Sequence, residues 1–83
     1  MEKLKFDYSK LKGRIIEKCG TQKAFAEKLG ISEGTLTSKL LGYTYFIQDE
    51  IIRAAEVLEI AEIDISLYFF TVRVGKLEQG EEE

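Results

Sequence analysis

The stretch from Thr21 to Gly42, TQKAFAEKLGISEGTLTSKLLG, holds the side chains of this sequence whose spacing suits chemistry. If Leu36 and Leu40 face a core, then Gly34, Thr37, Ser38 and Leu41 share the outward face of one helix. Two hydroxyls and one apolar tip at that spacing can touch base edges and a thymine methyl in a duplex groove. The chemistry is recognition, not bond breaking. The chain has no histidine, which removes the commonest metal ligand and general base. Its one cysteine, Cys19, excludes an intrachain disulfide and a cysteine-rich metal site. Cys19 lies on an apolar helical stripe and reads as a small hydrophobe. No nucleophile–base pair and no glycine-rich phosphate loop is present, so the expectation is a non-enzyme without cofactor or metal.

The elements that position these residues are legible from caps and periodicity. Thr21 is a good N-cap for a helix over Gln22 to Leu29, with Phe25, Ala26 and Leu29 inward and Gly30 as its stop. Ser32 caps the next helix, Glu33 to Leu41, and Gly42 follows it where a left-handed residue is favoured. Three residues, Gly30-Ile31-Ser32, join the two helices, which is the spacing of a helix-turn-helix. In a docked complex the outer face of the second helix would lie in the major groove.

An earlier helix is predicted from about Tyr8 to Lys18, capped by Asp7 or Ser9, with Leu11, Ile15 and Cys19 in stripe. Residues 43–47, YTYFI, read as a loop. A fourth helix covers Gln48 to Leu58, with Asp49 and Glu50 in its first turn, where carboxylates suit the helix dipole. Ile63 to Phe69 reads as a short fifth helix. Phe70, Val72 and Val74 then alternate with Thr71 and Arg73, which is a strand period. The competing reading continues the fifth helix through Phe70 and lets these residues cover the core. The fold class is therefore all-α, four to five helices, with a short C-terminal strand as an option. One domain spans 1–74, with the helix-turn-helix at about 21–42, and residues 75–83 read as a disordered acidic tail.

Charge is unevenly spread. The formal net charge is −3, yet residues 1–45 hold nine basic and five acidic side chains, whereas 46–83 hold three and ten. Phosphate attraction acts over about a Debye length, ~10 Å, so the basic half can act alone. Lys3, Lys5, Lys10, Lys12 and Arg14 read either as a solvated face or as a group that steers phosphates. The start, MEKLKFDYSK, lacks the apolar core of a signal peptide, and no run approaches the ~20 apolar residues of a membrane span. A cytoplasmic protein with no membrane partner is expected.

The stretch QKAFAEKLGISEGTLTSKLLG resembles the helix-turn-helix of lambda-repressor-like phage regulators, the Cro and CI class. Gln22, Ala26, Gly30, Ile31, Leu36 and Gly42 have that family's spacing. FDYSKLKGRIIEK before it, and EIIRAAEVLEI ending near YFF, look like short phage-encoded Cro-like regulators, so the resemblance covers about residues 5–72. It implies a four- to five-helix fold, binding to double-stranded DNA, and homodimers on a palindromic operator as transcriptional repressors. It also implies roles. Gln22 would hydrogen-bond a phosphate. Ser32, Glu33, Gly34, Thr37 and Ser38 would sit along the contact, the last four where the family reads bases. Lys23, Lys39, Tyr43, Thr44 and Tyr45 would grip the backbone. Phe70, Val72 and Val74 would form the dimer edge.

Three positions depart from the family's pattern. Gly34 stands where a long polar or basic residue is common, Leu41 where Asn or Arg is common, and Tyr43 where Lys is common. The reading face then has no Arg and one acid, so bidentate contact with guanine is missing from it. A surface of this kind also suits a protein-interaction module, such as an antirepressor or antitoxin.

Overall fold

The computed structural model describes residues 5–73. Val74 and the acidic tail 75–83 lie outside the described residues, as does Lys3. Five helices follow in order: α1 (Ser9–Cys19), α2 (Gln22–Leu29), α3 (Glu33–Leu41), α4 (Gln48–Leu58) and α5 (Ile65–Phe69). A 3₁₀ turn, Glu62–Asp64, leads into α5. The all-α architecture is the expected one. The bounds of α2, α3 and α4 match the sequence reading, because each starts and stops on local chemistry.

Helix starts come first. The Thr21 hydroxyl accepts from the Ala24 amide at 3.0 Å, and the Ser32 hydroxyl from the Thr35 amide at 3.0 Å. Each cap contributes about 1 kcal/mol. At α1 the Asp7 carboxylate accepts from the Ser9 amide at 2.9 Å and the Ser9 hydroxyl at 2.6 Å. These two bonds hold the Asp7 carboxyl below its ordinary value. Ile47 precedes α4 and cannot cap it. Instead the Glu50 carboxylate reaches back to the Ile47 amide at 3.0 Å, one half of a capping box.

Three helix ends share one motif. Past α2, the Ile31 amide donates to Ala26 O at 3.0 Å and Gly30 to Glu27 O at 3.1 Å. Past α3, Tyr43 donates to Ser38 O at 2.9 Å and Gly42 to Lys39 O at 3.2 Å. Past α4, Ile60 donates to Ala55 O at 2.9 Å and Glu59 to Glu56 O at 3.3 Å. This is the Schellman arrangement, which needs a left-handed residue. Gly30 at φ 80° and Gly42 at φ 90° adopt it without a Cβ clash.

Glu59 adopts the left-handed conformation at φ 56° with a side chain, at a cost of about 1 kcal/mol. Cations gather on it: Arg14 donates to Leu58 O at 2.9 Å and Glu59 O at 3.0 Å, and Lys18 pairs with the Glu59 carboxylate at 2.9 Å. Arg53 does the same for α2, donating to Leu29 O at 2.7 Å. Arg14 is thus a tether between α1 and the end of α4, not a member of a solvated face.

Leu11, Ile15, Phe25, Leu29, Leu36, Leu58 and Phe69 are essentially fully buried. Cys19 and Ile31 pack against this core half-buried. The loop after α3 is not loose: Phe46 is buried, edge-on to Tyr8 with centroids 5.5 Å apart and to Phe69 at 5.3 Å.

The expected C-terminal strand is absent among the described residues. Helix α5 ends at Phe69, and Val72 makes a single antiparallel bridge with Phe6 of its own chain. Asp7 N donates to Thr71 O at 2.7 Å and Arg73 N to Lys5 O at 2.9 Å around that bridge. One edge of the segment expected to pair with a second copy is therefore taken by the chain's own start. Phe69 is buried as the last residue of α5, whereas Phe70, Thr71, Val72 and Arg73 are all exposed, so the period-two pattern does not separate a buried face from a solvated one. One bridge is too short to be a strand.

Candidate nucleic-acid interface

The turn Gly30-Ile31-Ser32 fixes α3 against α2. The Ile31 side chain is half-buried against the core, and Leu36 and Leu40 are buried beneath α3. That fixes the opposite face of α3 by helical periodicity. Glu33, Gly34 and Thr37 are exposed, Ser38 is half-buried, and Leu41 is 54% exposed. A Cβ placed on Gly34 would find its nearest neighbour, the Ser32 hydroxyl, at 4.0 Å. The position is open, and it lies in the first turn of α3.

At the start of α2, Gln22 is half-buried and Lys23 is exposed. With the Thr21 hydroxyl engaged on Ala24, the first amides of α2 have no acceptor within the helix, which suits an anion. Thr44 is exposed, as are Tyr43 at 68% and Tyr45 at 41%. The Tyr45 ring meets Phe6 edge-on at 5.8 Å.

Two expected site residues are occupied elsewhere. The Ser32 hydroxyl accepts from the Thr35 amide and donates to the Thr35 hydroxyl at 2.9 Å, so its cap role uses it. Lys39 is the larger correction. Its side chain is 9% exposed, its ammonium lies 3.1 Å from the Glu50 carboxylate, and it donates to Tyr45 O at 3.0 Å. The Phe46 ring lies 5.8 Å from the same ammonium. An amine buried and paired in this way does not reach a phosphate. It holds the loop between α3 and α4. The sequence placed Lys39 beside Ser38 and suggested a surface role. Only the packing of α4 brings an acid to it.

The outward surface around α3 thus carries hydroxyls, one acid, apolar tips and few cations. Among the described residues there is no His/Cys/Asp/Glu cluster suited to a metal.

The chain matches the family model described as Protein of unknown function (DUF739) over residues 4–72. Among solved structures it is similar to the modulator of repression (MOR) of the temperate bacteriophage TP901-1 from Lactococcus lactis. The identity is 49%, the TM-score 0.70, and the match covers 78% of this chain and 88% of that one. No curated protein matches the chain. The matched protein is a phage regulator, the broad class to which the helix-turn-helix resemblance pointed; the Cro and CI assignment is narrower than this match. With the family model spanning well over half its length, the chain belongs to the DUF739 family.

Proposed function

We propose that this chain is a phage-type transcription regulator that binds double-stranded DNA, seating α3 in the major groove. One observation carries the reading. Two capped helices meet through a three-residue Schellman turn, and the second turns Thr37, Ser38 and Leu41 outward over a buried Leu36 and Leu40. The likeness to a phage modulator of repression supports it. In this reading Gln22 and Lys23 meet phosphates, Thr37 and Ser38 meet base edges, and Tyr43, Thr44 and Tyr45 lie along the backbone. The protein acts on a palindromic operator as a homodimer, with Phe70 and Val72 in the contact. Such a regulator works in the cytoplasm; no described helix is long and apolar enough to cross a membrane.

Selection from a random duplex library tests the reading. An enriched palindrome is the expected result and would give half-site spacing together with sequence. Failure to enrich any duplex would sink it.

Gly34→Arg is a sharper probe of the same face. The site is open and in the first turn, so a guanidinium there projects from the reading face. Duplex affinity is expected to rise by about fivefold, the low end of what a bidentate contact contributes. Helix propensity favours the change by up to ~1 kcal/mol, offset in part because a cation opposes the dipole at a helix start. Titration with duplex DNA and thermal melting read the two effects apart.

A second reading has an observation of its own. Leu41 and Tyr43 are exposed apolar groups beside the reading face, and Lys39 is withdrawn from it. This composition suits a protein partner, as in an antirepressor or antitoxin. Retention on heparin at low salt, competed by duplex DNA, favours DNA; no retention favours the protein partner.

A further inference from the structure

We propose that Lys5 is a phosphate-contacting residue, held at the C-terminal end of α3 by the bridge between Phe6 and Val72. This rests on the duplex-binding reading and supplies a contact that it lacks. The nine residues of α3 extend over ~13 Å, and the major groove is about 12 Å wide. A helix seated there needs anion donors at both rims. The start of α2, with Lys23 and its free amides, serves one rim. Lys39 would have served the other, at the far end of α3, but Glu50 holds it inside.

Lys5 stands at that far end. A Cβ placed on Gly42, the residue after α3, would meet Lys5 Cδ at 3.8 Å, so the lysine stem comes close to Gly42. The residue is exposed. A lysine whose stem rests on the protein carries its ammonium outward into water.

Its backbone is fixed on both sides. Lys5 O accepts from Arg73 N at 2.9 Å, and Asp7 N donates to Thr71 O at 2.7 Å. The Phe6 ring between them packs against Tyr45 at 5.8 Å and Phe70 at 6.2 Å. The acid nearest in this segment, Asp7, is turned to Ser9. Other cations of the same half are committed elsewhere: Arg14 and Lys18 at the end of α4, and Lys10 over the Tyr68 ring at 5.3 Å. Fixing the segment in advance removes much of the ordering cost of a contact made from a chain end.

The test measures affinity of the full chain for a mixed-sequence duplex over a range of salt. Each lost phosphate contact lowers the slope of log K against log salt by about 0.9. Lys5→Gln is expected to lower it by that amount, and Lys5→Arg to restore it, with thermal melting unchanged in both. Lys18→Gln, whose ammonium is paired with Glu59 at the end of α4, is expected to leave the slope alone. A Lys5→Gln slope equal to wild type, while wild type binds, overturns the Lys5 contact and leaves the duplex reading standing. A flattened slope that Lys5→Arg does not restore, accompanied by a lower melting temperature, also overturns it, since Lys5 then only packs on Gly42. Wild type without duplex binding at low salt overturns both.

Discussion

Lys39→Ala is expected to destabilise the fold by about 3 kcal/mol, the low end of the penalty for removing one partner of a buried ion pair. Lys39 and Glu50 have side chains 9% and 10% exposed, with 3.1 Å between ammonium and carboxylate. Loss of the ammonium leaves a carboxylate inside with one remaining donor, the Ile47 amide at 3.0 Å. It also frees Tyr45 O, to which Lys39 donates. Contrast Arg53 and Asp49, 3.7 Å apart with side chains 46% and 81% exposed, a pair worth roughly 0–1 kcal/mol. A domain of this size has a stability near the lower end of about 5–15 kcal/mol, so the substitution consumes much of the margin. Urea unfolding should show a lower midpoint at unchanged slope. The double variant Lys39→Met, Glu50→Leu should recover part of the loss, because replacing both members of a buried pair is close to neutral while the Ile47 amide and Tyr45 O lose their side-chain partners. The surface alternative makes the opposite forecast: an unchanged midpoint and a flatter salt dependence of DNA binding.

Val72→Asp is expected to weaken operator binding by about a hundredfold while leaving the helices folded. Coupling two modules raises affinity by about 10²–10⁴ without new DNA contacts, and the substitution removes the coupling. A single module buries only about 600–1,000 Å² on DNA, which favours a paired arrangement. Phe70 and Val72 are 51% and 41% exposed, and the Phe6 ring stands 6.2 Å from that of Phe70. Phe6 thus brings the exposed Phe70 and Val72 into one apolar patch. With one edge of the segment already bridged to Phe6, a contact between copies would rest on side chains more than on added strand pairing. Sedimentation should show a dimer for wild type and a monomer for the variant, with equal helical circular dichroism. A variant that loses helical content would place Val72 in the monomer's own packing. Wild type that stays monomeric at high concentration would remove the dimer contact altogether.

Local chemistry made most of the fold legible. Thr21 and Ser32 accept amides at the starts of α2 and α3, and Gly30 and Gly42 close their ends, all within a few residues of sequence. The α1 bounds differ by one residue from the sequence reading, because Asp7 engages Ser9 and shifts the start. The fifth helix divides into a 3₁₀ turn and five α-helical residues, a distinction too fine for periodicity over so short a run. Exposure of Gly34, Thr37 and Leu41 on α3 was equally legible, since burying Leu36 and Leu40 dictates what faces away, whereas the burial of Lys39 on the same helix was not.

By itself the sequence determined the helix-turn-helix, its bounds and the side chains on its outer face, because caps, glycine turns and a 3.6-residue period are short-range effects. Tertiary structure alone decided what the cations do. Lys39 meets an acid on the next helix, Arg14 closes a helix end 44 residues away, and Arg53 closes one 24 residues away. It also buried Phe46 from a loop and tied Phe6 to Val72. A charged side chain is long and flexible, and it takes whichever partner the packing of distant elements brings within about 3 Å. No local pattern encodes that meeting, so the basic character of the first half of the chain was readable while the separate role of each cation was not.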